Sequence, residues 1–160
     1  MRRMDRTPTI PQSVQSLVAA YGAFVGIDGL QFDDEGHIGL DLDGVEIDVA
    51  WIDAAAGLVV RAVLPGPSDT ADAKFLVALH IANAEAAMNA MGVVTLDAGF
   101  GAWVWIDRIE PAGLSGAGLH ERLSRAAKNV AFWTAQLPKL ADDSRPSVAQ
   151  ALHDFPMIRV

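Results

Sequence analysis

The chain has 160 residues, 51% hydrophobic and 20% charged, which fits one globular domain and is far from the composition of a disordered segment. It contains no cysteine, which excludes disulfides, thiolate catalysis and cysteine-based zinc sites and fits a reducing cytoplasm. The net charge of −8 disfavours nucleic acid as a partner. No run approaches the ~20 consecutive apolar residues of a membrane span, and the basic start of the chain lacks the apolar segment of a signal peptide. We therefore expect a cytoplasmic protein without a membrane span.

The first third of the chain predicts a helix followed by a β-hairpin. Apolar residues recur at helical spacing from Pro11 to about Gly26, and Pro11 suits the opening turn. Apolar and polar residues then alternate from Ile38 to Trp51. The alternation is interrupted by Asp43-Gly44, a pair typical of a tight hairpin turn with two positive φ angles. The two strands should therefore share one apolar face and one acidic face.

The remaining predicted elements are strands and helices whose ends are marked by glycine and proline. Gly92 suits the C-cap of the middle helix, Ser115 suits the cap of the last helix, and Pro138 is expected to end that helix. These elements are a strand at Leu58–Leu64, a helix at Asp72–Met91, strands at Val93–Leu96 and Ala102–Ile109, a helix at Leu119–Leu137 and a short helix at 147–153. The order αβββαββα, with strands joined by tight turns, predicts an α+β fold in which a twisted antiparallel sheet packs with helices.

The middle helix is apolar on two opposite sides. At about 100° per residue, its apolar residues form two stripes, and polar residues such as His80 and Glu85 fill the gaps between them. One stripe can pack on the chain's own sheet, which leaves the other without an intramolecular partner. We therefore expect one stripe to form a subunit interface, and the pattern does not choose between them. The stripes are Phe75, Leu79, Ala82 and Ala86, and Val77, Ile81, Ala84, Met88 and Met91.

Sequence motifs for catalysis, metal binding or phosphate binding are weak. Asp41, Asp43, Glu46 and Asp48 could offer oxygen ligands to a divalent cation, but the spacing of a calcium loop is missing, and a solvated strand face is the preferred interpretation. The histidines lack metal-site spacing, and the glycines at 113–118 do not form a phosphate-binding pattern. We predict no catalytic residue, no metal and no cofactor. A small α+β enzyme that uses His80 or the Asp41/Asp43 face stays as an alternative.

The element order and several segments resemble the class I chaperones of bacterial type III secretion, the Tir-chaperone (CesT-like) family. The resemblance covers roughly 12–137, so that 1–11 form an N-terminal arm and 138–160 a C-terminal extension. The matching segments include Ile38-Gly-Leu-Asp-Leu-Asp-Gly-Val-Glu-Ile-Asp, Phe75-Leu-Val-Ala-Leu-His-Ile-Ala-Asn, Gly92-Val-Val-Thr-Leu-Asp, Trp103-Val-Trp-Ile and Phe132-Trp133.

The resemblance implies an ATP-independent cytoplasmic homodimer that binds the N-terminal, non-globular segment of a type III secreted effector and keeps it soluble and secretion-competent. Binding energy alone can do this, because an extended segment can add a strand to a sheet edge and place apolar side chains in grooves. The secretion apparatus is a further candidate partner. An adaptor or regulatory dimer with the same fold outside secretion is the alternative.

By resemblance, the effector grooves lie on the first helix and the neighbouring strands, and the subunit contact lies on the middle helix and the second hairpin. A plain core position is the alternative interpretation for each of the effector-groove residues, because an alternating strand usually faces the core of its own domain. The effector-binding candidates are Leu17, Tyr21, Phe24, Leu40, Leu42, Val49 and Trp51. The dimer-interface candidates are Phe75, Leu79, Ala82, Ala84, Ala86, Met88 and Trp103.

Overall fold

The computed structural model describes residues 8–66, 73–97, 99 and 101–141. The elements are α1 (Gln12–Val25), β1 (His37–Leu42), β2 (Val45–Ile52), β3 (Gly57–Leu64), α2 (Ala73–Met88), β4 (Val93–Asp97), β5 (Ala102–Ile109) and α3 (Gly116–Leu140), with a 3₁₀ turn at Asp53–Ala55. The predicted order αβββαββα and the α+β class are therefore confirmed. The helix predicted at 147–153 lies outside the described residues.

The strands pair antiparallel as β1–β2, β2–β3 and β4–β5, and the strand order in the sheet is β1-β2-β3-β5-β4. The described residues fall into two compact units, 8–62 with 107–128 and 63–106 with 129–141. We call them the first and the second unit. The boundaries predicted at 11/12 and 137/138 stay a prediction.

In the first unit, the hairpin of β1 and β2 forms as its turn residues require. Asp43 and Gly44 have φ angles of 55° and 82°, and the Asp41 carboxylate accepts a hydrogen bond from the Gly44 amide at 2.8 Å. Cross-strand pairing places Ile38 opposite Val49 on the buried face of the sheet. The strands of this unit therefore bury one face, as the alternation predicts.

Helix α1 packs closely against its surroundings in the first unit. Gly26 ends the helix in the left-handed conformation at φ 78°, and the Ile27 amide donates to the Gly22 carbonyl at 2.8 Å. A Cβ on Gly22 would stand 2.7 Å from the Ile27 carbonyl oxygen and 2.8 Å from Leu30 Cβ. The chain after α1 therefore turns back directly onto the helix, and only glycine leaves room for it.

The second unit is built around tryptophans of β5. Trp105 is fully buried, and its indole nitrogen donates to the Met91 carbonyl at 2.9 Å. Trp103 meets Phe75 of α2 edge to face, with ring centroids 5.3 Å apart. The α2 helix is thereby fixed to the second hairpin by aromatic contact.

The end of α2 differs from the prediction. The left-handed residue after the helix is Ala90 at φ 51°, and the Met91 amide donates to the Ala86 carbonyl at 2.9 Å, which completes a Schellman motif before Gly92 is reached. Gly92 also has a positive φ, and a Cβ there would stand 2.5 Å from the Trp105 ring. Gly92 is therefore required by the tryptophan rather than by the helix end.

Helix α3 is longer at both ends than predicted. It begins at Gly116, where the Ser115 hydroxyl accepts a hydrogen bond from the Gly118 amide at 3.1 Å, so the predicted cap residue is confirmed. It continues past Pro138 to Leu140. Proline destabilises a helix because it lacks an amide donor and its ring crowds the preceding turn. Pro138 lies in the last turn of α3, so this destabilisation is confined to the end of the helix.

Candidate binding surfaces

The two apolar stripes of α2 have different environments in the second unit. The stripe of Phe75, Leu79, Ala82 and Ala86 is buried, and the two alanines have no exposed surface. The opposite stripe is open: Val77 is 60% exposed, Ile81 51% and Met88 79%, and Ala84 is also exposed. We call Val77, Ile81, Ala84 and Met88 the open stripe. A helix that is apolar on an exposed side indicates a contact surface.

Met91 does not belong to the open stripe. The chain leaves the helix after Met88, and the left-handed turn at Ala90 places the Met91 side chain in the core, where it is 5% exposed. Met91 would lie on this stripe only if the helix continued to residue 91, and α2 ends at Met88. The open stripe therefore ends at Met88.

The dimer-interface candidates divide between core and surface of the second unit. Ala84 and Met88 lie on the open stripe. The buried candidates are Phe75, Leu79, Ala82, Ala86 and Trp103. The predicted interface residues do not include Val77 and Ile81, although the spacing 77, 81, 84 and 88 is that of a helix seam with intervals of four and three.

The effector-binding candidates also divide in the first unit. Phe24 is 56% exposed at the end of α1, and Leu40 and Leu42 are half-buried on β1. The buried candidates are Leu17, Tyr21, Val49 and Trp51. Ile27, directly after α1, is 45% exposed and was not among the candidates. Its sequence signal is weak, because a single apolar residue in a glycine-rich turn has no periodicity.

Helix α1 presents an uncharged surface around Phe24. Its fourteen residues, Gln12–Val25, include no Asp, Glu, Lys or Arg. The Phe24 ring lies 5.3 Å from the His120 ring, which stacks on Tyr21 at 6.2 Å. Burial raises the pKa of the Tyr21 hydroxyl. The end of α1 therefore presents an exposed aromatic ring on a helix that has no charged side chain of its own.

One side of β1 has no neighbouring strand in the described part of the chain. The Trp51 amide donates to the Gly36 carbonyl at 3.1 Å, so the Gly36 carbonyl points toward β2. Because successive residues of a strand point their backbone groups to opposite sides, those of His37, Gly39 and Asp41 point away from β2. Both backbone groups of His37 already have partners in the turn at Asp33. The His37 amide donates to the Asp33 carboxylate at 2.8 Å, and the His37 carbonyl accepts from the Asp33 amide at 2.9 Å. Gly39 and Asp41 therefore face the open side of the strand.

The acidic face of the hairpin contains an ion-paired cluster. Arg61 of β3 donates from Nε to the Asp48 carboxylate at 2.9 Å, and His37 Nδ1 lies 2.9 Å from the same carboxylate. Asp48 is therefore paired across three strands instead of freely solvated as predicted. In the residues that the structure describes, no three His, Cys, Asp or Glu side chains converge to hold a metal ion.

His80 lies exposed on α2. No helix of the described chain is both long and apolar enough to cross a membrane.

Comparison with known proteins gives related folds at low sequence identity. No curated protein matches the sequence. A chain in the crystal structure of the ExsC–ExsE complex matches with a TM-score of 0.66 at 20% identity, covering 82% of this chain and 98% of that chain. A chain in the HopA1–SchA chaperone–effector complex matches with a TM-score of 0.66 at 18% identity, covering 80% and 99%.

A third similar structure is that of the Yersinia pestis type III secretion chaperone SycH in complex with a fragment of YscM2. Its TM-score is 0.56 at 16% identity, covering 73% of this chain and 96% of that chain. At these identities the similar structures show a shared fold. The model of the Tir chaperone protein (CesT) family matches residues 16–134, which is most of the chain. The protein therefore belongs to the Tir chaperone (CesT) family.

Proposed function

We propose that the protein is an ATP-independent cytoplasmic chaperone, a homodimer that binds the N-terminal, non-globular segment of a type III secreted effector and keeps it secretion-competent. The observation that carries the proposal is the match to the Tir chaperone family, and the similar folds include a chaperone–effector complex. The function needs no catalysed step. An effector segment that is bound along its length stays soluble because its apolar side chains are covered.

The effector surface that we propose lies at the end of α1 and on β1. Ordering an extended segment costs about 1–2 kcal/mol per residue, whereas burying one large apolar side chain contributes about 1.5–3 kcal/mol. Several anchors are therefore necessary, and Phe24, Ile27, Leu40 and Leu42 are the apolar side chains available there. The open side of β1 can add main-chain hydrogen bonds.

The buried candidates keep a supporting role in this proposal. Leu17, Tyr21, Val49 and Trp51 belong to the core of the same unit and hold α1 and the strands in place. Their replacement would change the effector surface indirectly, through the fold. The exposed anchors would act on the effector directly.

The subunit contact that we propose uses the open stripe of α2. Val77, Ile81 and Met88 supply apolar area, and Ala84 between them permits close approach of a second helix. Two further apolar residues, Val93 and Leu96 of β4, are 36% and 52% exposed in the same unit. The buried candidates, among them Phe75 and Trp103, shape the helix and hairpin that carry this surface.

Co-purification with identification of the bound segment tests the chaperone function. The tagged protein is recovered from cells that make it together with its secreted proteins, and bound protein is mapped by limited proteolysis and mass spectrometry. We expect a protected N-terminal effector segment, in the absence of added ATP. Recovery of a folded domain instead would favour an adaptor or regulatory dimer.

A matched pair of variants tests the effector surface. Phe24→Ala should weaken capture, whereas Val63→Ala, which removes a 72% exposed apolar side chain from β3, should leave it unchanged. Equal capture by both variants would contradict the placement of the anchor at Phe24.

A further inference from the structure

Three positively charged side chains lie on the solvent-exposed side of α3 in the first unit. Arg122, Arg125 and Lys128 are exposed and three residues apart, so they span about 9 Å of helix axis at about 1.5 Å per residue. We call them the basic row. The other side of the same turns is buried, at Leu123 and Ala126. The basic row therefore points away from the core.

The basic row differs from the cations of the strands. Arg61 contacts the Asp48 carboxylate, and Arg108 contacts the Glu110 carboxylate at 3.1 Å. Within the described residues, no hydrogen bond or ion pair joins the basic row to a carboxylate. The chain has 20 Asp and Glu against 12 Lys and Arg. Among the residues that the structure describes, these three neighbouring cations form no direct ion pair with a carboxylate.

Two carboxylates near the basic row balance part of its charge. Asp107 interacts with Arg122 and Arg125 beyond ion-pair distance, and burial raises its pKa. Glu121 is exposed one helical turn before Arg125. Among the described residues, three cations thus have two acidic neighbours, and one of these is partly withdrawn from water. The row therefore keeps an excess of positive charge on a protein whose net charge is −8.

We propose that the basic row is a docking surface for an acidic segment of a protein partner. Side chains one helical turn apart are about 5–6 Å apart, so aspartates or glutamates one turn apart on a helical segment match the spacing of the row. Alternate side chains of an extended segment are wider apart, at about 6.6–6.8 Å. Nucleic acid is the poorer occupant, because the net charge of −8 repels its dense phosphates. The basic row differs in chemistry from the apolar side chains proposed for the effector, which are Phe24, Ile27, Leu40 and Leu42.

Binding of a fluorescein-labelled oligoglutamate to the full-length protein, followed by fluorescence anisotropy, tests the proposal. We expect binding at low ionic strength that weakens as sodium chloride is added, because exposed charges are screened. Arg125→Glu replaces an attraction with a repulsion at the centre of the basic row and should raise the Kd about tenfold. Arg125→Lys keeps the charge and should retain most of the affinity.

Lys139→Glu is the matched control, since it makes the same charge change in the last turn of α3, outside the basic row. It should leave the Kd within about twofold. Lys128→Glu should reproduce the effect of Arg125→Glu independently. No binding of oligoglutamate, equal losses in the Arg125 and Lys139 variants, or tighter binding of a single-stranded oligonucleotide would each overturn the proposal.

Discussion

The side-chain amide of Asn83 on α2 makes two hydrogen bonds with the backbone of Val94 on β4. Asn83 Nδ2 donates to the Val94 carbonyl oxygen at 2.7 Å, and Asn83 Oδ1 accepts from the Val94 amide nitrogen at 2.8 Å. β4 is the last strand in the sheet order, so the amide takes the place that a neighbouring strand would occupy. The pair thereby closes part of a sheet edge that could otherwise pair with another chain.

Replacement of Asn83 with alanine should destabilise the fold. It leaves the amide and the carbonyl of Val94 without these partners in a partly buried position, which costs about 1–3 kcal/mol. Asn83→Asp retains the acceptor and loses the donor, so we expect it to be destabilised as well. Urea unfolding followed by circular dichroism gives the free energy of unfolding for each variant.

Asn89 offers the matched control for Asn83. Its amide makes one exposed hydrogen bond to the Glu85 carbonyl, at 2.9 Å. Asn89→Ala should therefore change the free energy of unfolding by less than about 0.5 kcal/mol. Similar losses in the Asn83 and Asn89 variants would show that the contact with β4 contributes little.

Local patterns predicted the elements of this fold because their causes are local. Alternation from Ile38 to Trp51 fixes which strand face is buried, and Asp43-Gly44 specifies the turn between the strands. The two stripes of α2 were visible for the same reason, since helical periodicity depends on neighbours three and four residues apart. These features need no knowledge of the rest of the chain.

Contacts between distant residues set the features that the sequence did not reveal. Asn83 is a polar residue between the two apolar stripes of α2, and its partner Val94 lies eleven residues further along, on another element. The pairing of Asp48 with Arg61 joins two strands in the same way. Which α2 stripe is buried depends on where Trp103 packs, and no local pattern contains that information.

Glutamate substitutions on the two stripes of α2 should separate folding from self-association. Ala84→Glu adds a charge to the open stripe, so we expect a folded protein whose mass in solution falls from about twice 17.0 kDa to 17.0 kDa. Ala82 is fully buried, and Ala82→Glu should instead destabilise the fold, because a buried charge without a partner is costly. Light scattering gives the mass, and circular dichroism reports folding.

Two outcomes would contradict the subunit contact on the open stripe. One is a wild-type protein that is monomeric at micromolar concentration. The other is an Ala84→Glu variant that keeps the dimer mass. In the second case the dimer would have to form through another surface, and the exposed residues of β4 would be the next to replace.

Alanine substitutions at Gly92 and Gly101 should have unequal effects. Both glycines have positive φ, 71° and 63°, so each substitution strains the backbone by about 1–2 kcal/mol. A Cβ on Gly92 would also stand 2.5 Å from the ring of Trp105, whereas a Cβ on Gly101 meets no atom within 4 Å. Gly92→Ala should therefore lower the free energy of unfolding further than Gly101→Ala, and it should change the near-ultraviolet signal of tryptophan. Equal losses would mean that Trp105 moves aside without cost.

Asp107→Asn should stabilise the protein at neutral pH. Burial raises the pKa of the Asp107 carboxyl, and this effect exceeds the opposing effects of the Arg108 amide, Arg122 and Arg125. A raised pKa means that the folded state holds the proton more tightly, so the stabilisation is present below the ordinary pKa of aspartate and is lost as the pH rises through the folded value. Asparagine removes the cost of burying the charge and still accepts the hydrogen bond from the Arg108 amide.

Thermal unfolding of the wild type and two variants over a range of pH checks the sign of this effect. The increase in stability caused by Asp107→Asn should be largest at neutral pH and disappear in acid.

Asp33→Asn should behave oppositely, because hydrogen bonds from the backbone amides of His37 and Glu35 lower the pKa of the Asp33 carboxyl. The stabilisation by Asp33 is present above the ordinary pKa of aspartate and is lost as the pH falls through the folded value. The Asp33 variant should therefore be less stable than the wild type at neutral pH and approach it in acid, and parallel pH profiles for the two variants would contradict both assignments.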